Sequence, residues 1–334
     1  MIQMTTFLSI ILGMALGSFI KEWFNDRLWV GSAVCIGIAV VGTLTSLVIR
    51  STAIAHPGLR FQWSALFLSG DTWRMLRSDR PLLWVLLVSS LFWFLGGVVQ
   101  QAVNAFGRLQ MQYGDGRTGL LAVCMAGGIM VGCIWAGAAS RGKFRTGFVQ
   151  LGAWGIVACF CGMAALGSAA GVPLERSKPA EGSSEEQAKN ASAESARDQP
   201  SARDQPSADG QPSADVAEHT QESLIEMLRP TGWFEVVCRV LLAGVGLFAG
   251  FFYVPLAVVM QVRPPADKKG RMIGAMNLAN WVCILIAAGF YLAVLAGCQV
   301  FHLRISWIFA LSAAVMLPVA LLYRPSVELH DEAA

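Results

Sequence analysis

Long uncharged apolar runs alternate with short polar connections along most of this chain. The runs cover about residues 4–20, 29–49, 82–106, 118–139, 147–170, 233–261, 271–297 and 304–323. A hydrocarbon core about 30 Å thick is crossed by about 20 apolar residues in a helix. Lipid offers nothing to backbone N–H and C=O groups, so each run must satisfy them internally as a helix. The pattern therefore predicts an all-α, polytopic membrane protein with about 8 transmembrane helices. The 233–261 run exceeds one crossing, an excess that tilt absorbs. The first run differs from a cleaved leader, which has its basic segment before the apolar stretch; here Lys21 follows it. Gly13 and Gly17 lie on it at the four-residue spacing of packed helices.

Two connections break the pattern. Residues 51–81 mix Trp63, Phe67, Leu68, Trp73 and Leu76 with arginines, which predicts a helix lying along the membrane surface. Residues 173–222 hold 11 acidic and 5 basic side chains and almost no large apolar ones. Within them DQPSA recurs at 198–202 and 204–208, then GQPSA at 210–214. Such a stretch buries too little to offset its ordering entropy and is expected to be a disordered acidic loop. Asn190-Ala191-Ser192 matches a glycosylation sequon that is short enough to arise by chance. Residues 219–230 regain an amphipathic pattern through Leu224, Ile225, Met227 and Leu228, as in a short interfacial helix leading to Trp233.

Composition agrees with this picture. Of 334 residues, 55% are hydrophobic and 14% charged, against roughly 25% charged in soluble domains. The net charge of +3 is small, and the placement of the cations carries the information. Arg50, Arg60, Arg74, Arg77, Arg80, Arg141, Lys143, Arg145, Arg263, Lys268, Lys269, Arg271 and Arg324 fall on one side, 13 in all, against Lys21, Arg27, Arg108, Arg117 and Arg304, which make 5. The positive-inside rule then puts both termini and the connections 50–81, 140–146 and 262–271 in the cytoplasm. The eight cysteines lie in or beside apolar runs, without CxxC or zinc-ligand spacing, and read as small packing residues. No phosphate loop, HExxH or nucleophile elbow is present. No enzymatic activity, catalytic residue, metal, cofactor or nucleic-acid partner is expected.

Six spans follow the long basic connection. The loop Ser140-Arg141-Gly142-Lys143-Phe144-Arg145 between the second and third of them resembles the G-x-x-x-D-R-x-G-R-R signature of the major facilitator superfamily, without its acidic residue. Asp79-Arg80-Pro81-Leu82-Leu83, Phe92 through Gln100, Thr118-Gly119-Leu120-Leu121, Pro255-Leu256 with Gln261, and Lys269 through Asn277 with Asn280 resemble the lysophospholipid transporter branch of that superfamily. The branch includes fusions to an acylglycerophosphoethanolamine acyltransferase. No His-x-x-x-x-Asp acyltransferase signature occurs here, since Phe61 follows His56 and Trp307 follows His302 at that spacing. The resemblance implies spans five to twelve of a twelve-span fold in a cell inner (cytoplasmic) membrane. Residues 1–50 would be the last two helices of an incomplete N-terminal bundle and 51–81 the central connection. Residues 82–323 would form the C-terminal six-helix bundle and 324–334 a cytoplasmic tail. It implies membrane lipids, a lysophospholipid or other amphiphile, and a membrane-associated acyltransferase as partners.

Polar side chains at membrane depth are costly unless they face a cavity or a partner. Gln100, Gln101 and Asn104 lie toward the outer end of the 82–106 run, with Gln100 and Asn104 on one face. Asn277 and Asn280 are at i, i+3 near the inner end of 271–297, and are read equally as cavity lining or as interhelical hydrogen bonding. Glu235 and Arg239, at i, i+4, are expected to form an ion pair that is structural or binds a proton or a phosphate headgroup. Arg141, Lys143 and Arg145 are the expected cytoplasmic gating loop. Gly128/Gly132 and Gly246/Gly250 predict close helix approach, and Pro255 a hinge. The expected function is alternating-access transport of lysophospholipids. The competing readings are a facilitator for another amphiphilic or drug-like solute, and a truncated or partner-dependent subunit without transport of its own.

Overall fold

The computed structural model describes residues 28–48, 70–140, 146–169, 229–230, 232–265 and 268–323, with Ser9, Gly13, Leu16, Gly17 and Ile20 as isolated points. The described residues are helical apart from short turns. The helices are α1 (Leu28–Leu47), α2 (Gly70–Ser78), α3 (Arg80–Ala105), α4 (Asp115–Ser140), α5 (Thr146–Ala169), α6 (Trp233–Val262), α7 (Lys269–Val300) and α8 (Trp307–Leu322). A π-helical turn, Phe106–Gln110, extends α3. Six of these helices (α1 and α3 to α7) are long and apolar enough to cross a membrane. The last expected span, 304–323, is shorter than its apolar run, because α8 has only 16 residues. Residues 301–306 are instead spent on turns, with His302 at φ 52°. Most of the first run, residues 51–69, the loop 141–145, the repeat segment 173–222, nearly all of 219–230 and the tail 324–334 lie outside the described residues.

Local chemistry sets the helix starts. Asp79 caps α3 by accepting the Leu82 N–H at 3.2 Å, and Pro81 sits in the first turn where no backbone donor is needed. The second Asp79 oxygen accepts Arg263 Nε at 2.7 Å, which ties the start of α3 to the end of α6. The short helix α2 is amphipathic. It buries Thr72 and Leu76, while Trp73 faces outward with the Arg77 guanidinium 5.8 Å from its ring centre.

The six helices α3 to α8 form one bundle. α4 packs on α6 and α7 on α3; α5 packs on α6 and α8 on α3; α3 meets α6, and α5 meets α8. Exchanging the triplet α3–α4–α5 for α6–α7–α8 leaves these six pairings unchanged. Short connections make the helices within each triplet antiparallel, and across the longer 170–232 connection Gly162, Gly155 and Gly152 of α5 meet Leu241, Phe248 and Phe252 of α6, so α6 runs antiparallel to α5 and the second triplet is inverted. The α4–α6 seam is the closest. A Cβ on Gly128 or Gly132 would collide with the carbonyls of Ala243 and Leu247, and one on Gly246 with that of Met125. Only glycine allows the backbones to approach this closely.

Polar caps fasten both ends of the bundle. At one end buried Gln110 donates to the Gly167 carbonyl at 2.6 Å and accepts the Ser306 N–H at 2.9 Å. Arg304 donates to the Ser168 carbonyl. Gly167 and Ser168 carry orphan carbonyls of the last turn of α5, and a cation there complements the helix dipole. At the opposite end Gln150 donates to the Ala320 carbonyl in the last turn of α8. Outside, the bundle exposes Leu87, Trp135, Leu151, Val240, Leu285 and Leu292. Trp84 and Trp135 project near one end, Trp233 and Trp307 near the other, as in the aromatic belts of membrane interfaces. So much outward apolar surface requires lipid as its solvent.

Candidate functional site

All six bundle helices contribute to one central cavity of about 430 Å³. It is bounded by Phe92, Trp93, Gly96 and Gln100 of α3, Met125, Ala126 and Ile129 of α4, and Ile156 and Phe160 of α5. Val245, Gly246 and Ala249 of α6, Ile284 of α7 and Met316 of α8 complete it. Its lining is apolar, with Gln100 the one amide in it. An aromatic wall stands beside it. Phe92 stacks on Tyr253 at 5.0 Å, and Trp93 meets Tyr253 edge-on at 5.7 Å. The volume lies in the range of small-molecule sites, and the lining suits the apolar body of a ligand.

A polar cluster lies toward the N-terminal end of α6. Glu235, with 1% of its side chain exposed, is held by Arg239 at 2.5 Å, and Arg239 is 15% exposed. Removing one partner of such a pair leaves an uncompensated buried charge, which costs about 3–5 kcal/mol. Tyr113 from the α3–α4 connection and Cys124 from α4 lie within electrostatic reach of the pair, and Cys238 of α6 and Arg117 of α4 lie within reach of Tyr113. Burial first, and the Glu235 carboxylate second, push the Tyr113 phenol above its ordinary value. Cys124 adjoins Met125 and Ala126 of the cavity, and Arg239 precedes Val245 by six residues, about 9 Å along a helix.

The other residues singled out in the sequence scatter. Gln100 lines the cavity, Asn104 donates its amide to the Gln100 carbonyl at 3.1 Å, and Gln101 is exposed. Asn280 is buried and accepts the Ser90 hydroxyl at 3.3 Å, an α3–α7 hydrogen bond; Asn277 is exposed on α7. Arg141, Lys143 and Arg145 lie outside the described residues. Sequence reasoning passed over Tyr113 near the ion pair, and Trp93 and Tyr253 in the aromatic wall. The adjacent aromatic pairs Phe92-Trp93 and Phe252-Tyr253 were the available signal. Among the described residues no three His, Cys, Asp or Glu side chains come together as metal ligands.

Helix length, outward apolar surface and two belts of tryptophan make this chain a multi-pass helical membrane protein. No family model, characterised protein or solved structure matches it.

Proposed function

We propose that the chain is a secondary transporter of the major facilitator type that moves lysophospholipids across an inner membrane by alternating access. The observation that carries this reading is the apolar cavity lined by all six bundle helices, with a charged pair toward the N-terminal end of α6. The exchange pattern of the two helix triplets supports it, since inverted repeats with a site between them are the build of such transporters. The bundle α3–α8 would rock against a second bundle to which α1 belongs, with both termini and the connections 50–81, 140–146 and 262–271 cytoplasmic. Transport makes or breaks no covalent bond in the cargo. A membrane-associated acyltransferase is the fitting consumer of an imported lysophospholipid.

Uptake of labelled lysophosphatidylethanolamine by spheroplasts tests the proposal. Uptake should fall on deletion of the gene and return with it; unchanged uptake on deletion refutes the lipid assignment. Competition by other amphiphiles in the same assay separates a lysophospholipid carrier from a broader facilitator. A second reading, a partner-dependent membrane subunit, is favoured by the surface of α1, which buries no side chain, and by the largely exposed flank of α7. Lysophospholipid transport by proteoliposomes holding this chain alone would exclude it.

A further inference from the structure

We propose that one end of the bundle carries a headgroup site for an anionic diacyl phospholipid, formed where α2 meets the first turns of α3 and α7. The site needs only a membrane around the bundle and does not rest on the transport reading. α2 packs on both α3 and α7, and the Asp79–Arg263 ion pair fastens the start of α3 to the short connection that leads into α7. These contacts gather Arg77, Arg80, Lys268, Lys269 and Arg271 at one end, and all five are exposed. By sequence, residues 70–80 and 263–271 hold seven cations and three acids. One of those acids, Asp79, already accepts from Arg263 and from the Leu82 N–H. The start of α7 has neither a side-chain cap nor an acidic residue in its first turn. Its orphan N–H groups and helix dipole therefore add to the positive field of the side chains, and an outside anion relieves both.

An apolar flank runs away from these cations. Arg80, Trp84 and Leu87 lie at i, i+4 and i+7 on one face of α3, and all three are exposed. On α2, Trp73 is exposed with the Arg77 guanidinium 5.8 Å from its ring centre, so an interfacial aromatic and a cation stand together. A phosphate at the level of Arg80 would lay its acyl chains over Trp84 and Leu87, about 6 and 10 Å further along the helix. A free phosphate matches the cations but leaves the flank uncovered, and a zwitterionic lipid covers the flank but brings its own ammonium to the cations. An anionic bilayer lipid satisfies both.

Tryptophan quenching by brominated lipids tests the site, with the purified full chain in phosphatidylcholine nanodiscs. The signal of Trp73 and Trp84 is the difference between wild type and the Trp73→Phe, Trp84→Phe double variant. Half-quenching of that signal should need about tenfold less brominated phosphatidylglycerol than brominated phosphatidylcholine, and high salt should shrink the ratio. Trp233 and Trp307, read in the same way at the opposite end, should show no such preference. Replacing Lys268, Lys269 and Arg271 together by Gln should lower the ratio at least about fivefold. Equal quenching by the two lipids, equal preference at both ends, or a ratio unchanged in the triple variant overturns the inference. Loss of the preference when excess dimethyl phosphate is added assigns the site to free anions and overturns the lipid assignment. Where a variant is misassembled on size exclusion, hydrogen exchange of wild type decides. Added phosphatidylglycerol should protect α2 and the first turn of α7, and no added protection there refutes the site.

Discussion

Gln110 is expected to be worth more to the bundle than any exposed polar residue, and Gln110→Met tests this. The side chain is 1% exposed and joins three helices, donating to Gly167 of α5 and accepting from Ser306 at the start of α8. Methionine preserves length and unbranched shape while removing both partners. The Gly167 carbonyl and the Ser306 N–H are then left buried and unsatisfied, at about 1–3 kcal/mol each, so a combined loss of about 2–6 kcal/mol is expected. Gln110→Glu retains the acceptor for Ser306 but sets a buried carboxyl oxygen against the Gly167 carbonyl, and should destabilise at least as much as methionine. Unfolding in mixed micelles titrated with dodecyl sulfate gives the difference, and hydrogen exchange locates it at the end of α5 and the start of α8. A Gln110→Met protein within about 0.5 kcal/mol of wild type, with unchanged exchange at those sites, would refute the reasoning.

Gly246→Ala should cost about 1–3 kcal/mol through overpacking, because its Cβ meets the Met125 carbonyl; Gly246→Leu should prevent assembly, read by size-exclusion of the solubilised protein. Ala126→Leu narrows the cavity from the α4 side and should reduce uptake of long-chain lysophospholipids more than short-chain ones, measured as a chain-length series in proteoliposomes. Tyr113 should ionise above about 10 because burial and then Glu235 oppose the phenolate. Its contribution to stability is present below that pH and is lost as pH rises through the folded-state value. Glu235→Gln should move the Tyr113 transition back toward the ordinary value in tyrosinate absorbance, with Tyr113→Phe as the reference.

The membrane character and the helices of the described bundle follow from the chain alone. Backbone groups in lipid are satisfied within a few residues of themselves, so the length of an apolar run decides the element without reference to any other part of the protein. Local spacing likewise gave the Glu235–Arg239 pair at i, i+4 and the small-residue positions of the α4–α6 seam. Tertiary structure alone decided which helices pair, where the cavity lies, and which polar groups meet across long separations. Asp79 finds Arg263 184 residues away, Ser90 finds Asn280 across 190, and Gln110 finds Ser306 across 196. The physical reason is that these helices are apolar on nearly every side, toward lipid and toward each other, so periodicity does not mark the packed face. Gln110 at a helix end reads as an ordinary interfacial residue until three helix termini are brought around it.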